Sequence, residues 1–468
     1  MMPGERMGRI RRIHFVGIGG TGMNGIAELL FNLGYDVSGS DARKSSVTDR
    51  LAALGLHITQ GHKAQAVRGA DVVVVSSAIS ADNVELASAR ALKIPIIPRA
   101  EMLAELMRFR YGIAVAGSHG KTTTTALIAS LLVEAGEDPT FVIGGRLNSH
   151  SANARLGGGR YLVAEADESD ASFLLYQPLL AVVTNIDRDH LNAYQGDFDR
   201  LRQAFSDFLH HLPFYGFAVV GVDDPEVARL APAIGRPTLR YGFSEAADVR
   251  GVGLVSEGLR TRIRVARSGR AETEFVVNLA GRHNAENALA AIAVAQVLEL
   301  SDSALGRALD RFQGTGRRFQ LHGGARFGKT EFLLVEDYAH HPREIEATLE
   351  AAEQAWPDRR KVVVFQPHRY SRTFDLLEDF SRVLSQATVL ILTEVYPAGE
   401  RPIPGADGRA LSRAIRARGP VVPVFADRLT DLPALLGRLV ESEDVVLLLG
   451  AGDWGELIPI LMKGREAS

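Results

Sequence analysis

Apolar residues collect along this chain into short runs that alternate with stretches in which they recur every third or fourth position. Runs at residues 13–16, 36–40, 71–76, 161–164, 179–186, 217–220, 332–336, 361–366, 388–393 and 444–449 are strand-like, and several are apolar throughout, as strands covered on both faces are. Between them lie helical patterns at 23–33 and 288–295, and after residue 121, where Leu127, Ile128, Leu131 and Leu132 share a face. Strand and helix in repeated alternation predict an α/β chain of mostly parallel sheets. The 468 residues suggest about three domains. The pattern divides them at 1–109, 110–313 and 314–468: a Rossmann-like first domain, a central domain and a second Rossmann-like domain.

The central segment opens with the most informative stretch, Tyr111-Gly-Ile-Ala-Val-Ala-Gly-Ser-His-Gly-Lys-Thr-Thr-Thr-Thr125. An apolar strand runs into a glycine turn, and a helix follows at once, which is the context a phosphate cradle requires. Gly117, Ser118, His119 and Gly120 supply backbone amides at a helix N-terminus, and Lys121 supplies a mobile cation. Thr122 supplies a hydroxyl for Mg²⁺, with Thr123 beside it. Val115 stands where the usual motif has its first glycine, so this P-loop is a shortened form.

Acids and imidazoles gather at strand ends beside the cradle. Glu165-Ala-Asp-Glu-Ser-Asp170 follows one strand and Asp187-Arg-Asp-His190 another, and Glu165 and His190 are the candidates for completing a Mg²⁺ shell. The competing account is solvated acids at strand ends. Near the start, Gly17-x-Gly19-x-x-Gly22 follows a strand and Asp41 comes some twenty residues later, as in dinucleotide binding; tight packing explains the glycines equally well. Asp224-Pro225 reads as a helix cap followed by proline at the first helical position. His283 and Asn287 are four apart, so on a helix both meet one planar ligand such as a base, and an Asn cap is the alternative. Gly314-Thr-Gly-Arg-Arg-Phe319 suits a domain junction touching phosphate through Arg318. His340 and His341 are adjacent and point apart, which favours capping over a zinc site, and Pro342 suits a helix start. In Pro367-His-Arg-Tyr-Ser-Arg372, Arg369 and Arg372 are carboxylate or phosphoryl binders, or else surface ion-pair partners. Residues 396–405, rich in proline and glycine, read as a loop.

Composition narrows the chemistry. Net charge is −3, so nucleic acid and anionic membranes have no electrostatic claim on the chain. Cysteine is absent, which removes disulfides, thiolate nucleophiles and zinc–thiolate sites. Arg6, Arg9, Arg11 and Arg12 before an apolar run resemble a signal peptide only superficially, because glycine spacing interrupts the run. The expectation is a cytoplasmic protein without membrane insertion.

With these motifs placed, HFVGIGGTGMNGIAE, GSHGKTTTT, EADESD, TNIDRDH, GRHNAENALAA, GTGRRF, DYAHHP and QPHRYSRT, in that order, the chain closely resembles the Mur ligases of bacterial cell-wall synthesis. The members it is most similar to join L-alanine to UDP-N-acetylmuramate. The resemblance covers essentially the whole chain. It implies a UDP-sugar domain, a central P-loop ATPase domain and a C-terminal domain closing on ATP and amino acid. It also implies a reaction in which a muramate carboxylate takes the γ-phosphoryl group of ATP and the acyl phosphate is attacked by an amine. The resemblance gives the phosphates and Mg²⁺ to Lys121 and Thr122, further metal ligation to Glu165 and His190, adenine to His283 and Asn287, and a nucleotide-side role to Arg318. It gives the acyl-phosphate and amino-acid site to His340, His368, Arg369 and Arg372, and the UDP-sugar to Gly17, Gly19, Gly22 and Asp41. Several sister ligases carry a carbamylated lysine that supports a second metal, and residues 191–213 contain no lysine. Three rival readings stand beside this one: a recycling ligase that joins a whole peptide to the same sugar nucleotide, a nicotinamide oxidoreductase built on the first glycine motif, and a non-enzymatic nucleotide switch.

Overall fold

The apolar runs become the central strands of three sheets in a computed structural model, which describes residues 7–20, 22–76, 78–149, 152–327, 330–452, 454–455 and 457–463. Arg6, and Thr21 within the first glycine motif, lie outside the described residues. The N-terminal sheet has the order β3-β2-β1-β4-β5 and is parallel throughout, from β1 (Arg12–Val16), β2 (Asp36–Asp41), β3 (His57–Gln60), β4 (Val72–Val75) and β5 (Ile96–Pro98). Strand order reverses between β1 and β4, the place where open sheets of this kind leave a crevice at the strand carboxyl ends. The Gly17–Gly22 turn and Asp41 leave β1 and β2 on that side.

The central sheet contains β6 (Tyr111–Ala116), β7 (Thr140–Leu147), β8 (Ala152–Arg155), β9 (Tyr161–Glu165), β10 (Leu180–Val183), β11 (Phe217–Gly221), β12 (Thr238–Gly242), β13 (Val249–Glu257), β14 (Arg260–Arg267) and β15 (Thr273–Val277). Its order is β15-β14-β13-β12-β11-β10-β6-β9-β7-β8. The cradle strand β6 is therefore flanked by β10 and β9, in parallel, and the acid-bearing turns that follow those strands flank the cradle. The run at 179–186 yields a shorter strand than its apolarity predicts. Thr184 N still donates to Ala116 O of β6, and beyond it Asn185 O accepts from Ser118 N of the cradle loop.

The third sheet, β16 (Gln320–Phe327), β17 (Thr330–Asp337), β18 (Lys361–Phe365), β19 (Val389–Thr393), β20 (Val424–Ala426) and β21 (Val445–Leu449), has the order β16-β17-β21-β18-β19-β20. Its first pair is antiparallel and the rest parallel. Alternate residues enter two cores: Val335, Val363, Phe365 and Leu447 pack on one face, and Leu334, Val362, Val364 and Leu448 on the other. Both faces being covered explains why these strands read as unbroken apolar runs.

Three sheets do not give three separate bodies. The chain divides into two compact units: Met1–Leu254 with Ile263–Val277 and Glu286–Gln313, and Val255–Arg262 with Asn278–Ala285 and Gly314–Ser468. The first unit holds both the N-terminal and the central sheet because one apolar cluster runs from Ile13 and Phe15 through Ala116 to Phe205. Gly25, on the helix Met23–Asn32, lies so close to β8 that a Cβ there would stand 2.6 Å from Ala154 Cβ. No described helix is long and apolar enough to cross a membrane.

Candidate active site

The cradle follows from backbone geometry at two glycines. Gly117 has φ 137° and Gly120 φ 81°, and the helix Lys121–Glu134 starts immediately after. A Cβ at Gly117 would stand 2.0 Å from Thr184 Oγ1, and one at Gly120 2.4 Å from Asn287 Oδ1, so only glycine fits either position. The turn after β10 clasps the loop from the side: Ser118 N donates to Asn185 O at 3.0 Å, His119 N to Asn185 Oδ1 at 2.8 Å, and Asp187 N to Ser118 Oγ at 2.8 Å. His119 Nε2 lies 3.1 Å from Asp187 Oδ2.

Lys121 reaches back over its own loop, donating to Gly117 O at 2.6 Å and to both oxygens of Glu168 at 3.0 and 2.7 Å. The Glu168 side chain is buried to 1% exposure and that of Lys121 is 15% exposed. Burial pushes the Glu168 carboxyl up to about 7 against the pull of Lys121. Burial alone would lower the lysine, yet the charges of Glu168, Asp167 and Glu165 outweigh it and hold Lys121 above its ordinary value. The ammonium is thus a charged donor. The Thr122 hydroxyl donates to Glu165 Oε1 at 2.6 Å, and Glu165 Oε2 accepts from Gly144 N. A hydroxyl and a carboxylate oxygen in contact at a helix N-terminus are the oxygen donors a magnesium ion takes, so these residues fit that ion. His190 has φ 55°, and its Nε2 lies 3.4 Å from Asp189 Oδ2. Burial raises Asp167, but the charge of Lys121, hydrogen bonds from Ser169 and the charge of His190 more than reverse this and leave it lowered.

Asn287 is not a cap. It lies inside the helix Arg282–Val297, and its Oδ1 accepts from Thr124 Oγ1 at 3.2 Å, which ties it to the cradle helix. In the N-terminal sheet, Gly17 and Gly22 have φ 82° and 80°, and Asp41 Oδ2 accepts from Gly19 N at 2.9 Å. The acid and the glycine loop are thus brought together as the spacing predicts.

The second unit gathers most of the remaining candidates. Arg318 Nη1 is 3.7 Å from Glu344 Oε1, and the guanidinium lies 5.1 Å from the Tyr338 ring centre. Burial drives His283 down to about 4, with Glu344 opposing and Arg318 assisting, so this imidazole is neutral at pH 7. Asp337, at the end of β17, is pushed up to about 6 by burial despite Arg318. His341 caps the helix Pro342–Ala355 in a capping box with Glu344, as expected of the pair at 340–341. The His340 and His368 rings stand 5.8 Å apart. Arg372 is 7% exposed, which rules out the surface ion-pair reading for that residue.

Sequence reasoning passed over Glu168, Asp337 and Glu344. The first was visible only as one acid among four in EADESD, and nothing in the run says which one meets Lys121. Asp337 and Glu344 owe their importance to what packs around them, which a linear pattern does not carry.

Three family profiles match in chain order: "Mur ligase family, catalytic domain" over residues 12–111, "Mur ligase middle domain" over 115–295, and "Mur ligase, glutamate ligase domain" over 317–452. UDP-N-acetylmuramate–L-alanine ligase of Halorhodospira halophila is 60% identical over 460 residues, covering 98% of this chain and 95% of that protein. Its counterpart in Methylococcus capsulatus is 58% identical over 465 residues, covering 99% and 98%. Among solved structures, UDP-N-acetylmuramate-alanine ligase of Thermotoga maritima superposes with a TM-score of 0.81 at 29% identity, covering 97% of this chain and 98% of that one.

Proposed function

Since the chain belongs to the Mur ligase family, we infer that it joins L-alanine to the carboxylate of UDP-N-acetylmuramate with conversion of ATP to ADP and phosphate, a step of peptidoglycan precursor synthesis. The observation that carries this reading is the identity of 60% and 58% to two alanine ligases over nearly the whole chain. The cradle supports it chemically. A carboxylate is a poor acyl donor because oxide is not a leaving group. Transfer of the γ-phosphoryl group to a muramate carboxylate oxygen forms an acyl phosphate and releases ADP. The alanine amine then attacks the acyl carbon, the C–O bond to phosphate breaks, and the amine loses a proton as the amide forms. In phosphoryl transfer and in the departure of phosphate, charge shifts onto phosphoryl oxygens, where fixed amides and cations act.

Lys121 and the amides of residues 117–123 would take the β- and γ-phosphates, with Lys121 exchanging Glu168 for phosphoryl oxygen. Thr122, Glu165 and His190 would hold Mg²⁺, which supplies positive charge across the phosphate oxygens when bound. His283, Asn287 and Arg318 are assigned to the nucleotide. Gly17, Gly19, Gly22 and Asp41 are assigned to the UDP-sugar, and His340, His368, Arg369 and Arg372 to the acyl phosphate and amino acid. The domains are 1–109 for the sugar nucleotide, 110–313 for ATP and 314–468 for the amino acid. The protein works in the cytoplasm, with no nucleic-acid or membrane partner.

The test is phosphate release from purified protein given ATP, Mg²⁺ and UDP-N-acetylmuramate with each amino acid in turn. Release is expected with L-alanine. Release that requires a tripeptide and is absent with L-alanine would establish the recycling ligase instead. NAD binding without UDP-sugar binding would favour the oxidoreductase, and ATP binding without turnover of any amino acid the switch.

A further inference from the structure

Arg369 stands in a backbone conformation that its side chain disfavours. Its φ of 70° and ψ of 136° lie outside both the right-handed and the left-handed helical regions, and such a residue persists only where its surroundings over-determine it. The restraints come from a segment with no role assigned above. Tyr396 N donates to Pro367 O at 2.8 Å and Arg369 N donates to Tyr396 O at 2.9 Å, forming an isolated parallel bridge between His368 and Tyr396. The Tyr396 ring stacks on the His368 imidazole with centroids 5.4 Å apart and planes 8° from parallel. Four residues on, Glu400 accepts from Ser371 N at 3.0 Å and Ser371 Oγ at 2.7 Å, which pins the first turn of the helix Tyr370–Asp375. Burial raises the Glu400 carboxyl, but the Ser371 bonds and the Arg369 charge more than offset this, so it stays ionised. The two anchors are joined by a tight turn in which Ala398 and Gly399 have φ 46° and 86° and Glu400 N donates to Pro397 O at 2.9 Å. Arg369 Nε is buried and meets no acceptor among the described residues, although an Arg–carboxylate pair uses such a donor.

We propose that the turn Tyr396 to Glu400 is a positioning clamp that holds His368 and Arg369 in register to receive the α-carboxylate of the amino-acid substrate. Tyr396 acts through its carbonyl and ring, and Glu400 through Ser371. Without them Arg369 relaxes to an ordinary backbone region, and a φ change of more than about 100° redirects its guanidinium. The proposal rests on the reading of His368, Arg369 and Arg372 as the amino-acid site.

The experiment is steady-state phosphate release by the full chain, varying each of the three substrates, for Tyr396→Ala, Tyr396→Phe, Glu400→Ala and Arg369→Lys. The clamp requires KM for L-alanine to rise about tenfold in Tyr396→Ala and Glu400→Ala while KM for ATP and for the sugar nucleotide stays within about twofold. Tyr396→Phe keeps ring face and backbone and should return KM for alanine to near the parent value. If Glu400→Ala does not fold, Glu400→Gln, which keeps one acceptor, is measured in its place. All three KM values rising together, or a lowered unfolding temperature with unchanged kinetics, overturns the clamp. A raised KM for alanine in Arg369→Lys alone also overturns it. An unchanged KM in Arg369→Lys as well overturns the underlying assignment of the arginines.

Discussion

Two side chains show how burial sets chemistry at the scale of single residues. Lys121 is held charged by Glu168, Asp167 and Glu165 against the cost of partial desolvation, so it enters the cradle as a preorganised cation. Lys121→Ala is expected to lower the rate of phosphate release by roughly 10²–10³, the usual loss for one such contact, with circular dichroism unchanged. Near-parent turnover in a folded variant would refute the role. Asp337 makes a pH prediction. Its carboxyl rises from 3.8 to about 6 on folding, so between those values the folded state binds more protons than the unfolded one. Its contribution to stability is therefore present at low pH and is lost as pH rises from about 4 to about 6. Asp337→Asn has no such slope. The stability of the parent relative to this variant should fall by roughly 3 kcal/mol across that window in urea titrations. A difference that does not depend on pH would show that Asp337 titrates normally.

At the scale of elements, the cradle was legible because strand, turn and helix are contiguous and each has a local signature. Gly120 is one of the two glycines in it that no other residue fits. Gly120→Ala meets both the φ of 81° and Asn287 Oδ1 at 2.4 Å, and should cost about 1–3 kcal/mol in chemical denaturation while weakening ATP binding by calorimetry. Unchanged affinity would mean that the loop readily moves aside. Strand boundaries were legible less well. Residues 184–186 continue an apolar run, but the Asn185 carbonyl and side chain bond to Ser118 and His119 of the cradle loop and not to a neighbouring strand. Asn287 was open between cap and ligand contact for a similar reason. Its partner Thr124 is 163 residues away, and no local pattern announces it.

For the whole molecule, the cradle, the oxygen donors Thr122 and Glu165, and the flanking turns all belong to the first unit, so nucleotide should stabilise that unit directly. ATP with Mg²⁺ at about 100 times its dissociation constant is expected to add about 2.7 kcal/mol to its unfolding free energy, seen as a raised melting temperature. EDTA should abolish both most of that shift and phosphate release, and added Mg²⁺ should restore them. A full shift in EDTA would remove the metal from nucleotide binding. The amino-acid sequence alone determined the α/β class, the three successive segments, the cradle and the order of motifs by which the family is recognised, because periodicity, glycine turns and strand-end chemistry are properties of near neighbours. Tertiary structure decided which of four acids meets Lys121, that Asn287 belongs to the cradle, that the first two sheets form one unit, and that Tyr396 and Glu400 brace Arg369. Those facts depend on residues tens to hundreds of positions apart being packed into contact, where burial sets each charge and each hydrogen bond chooses its partner.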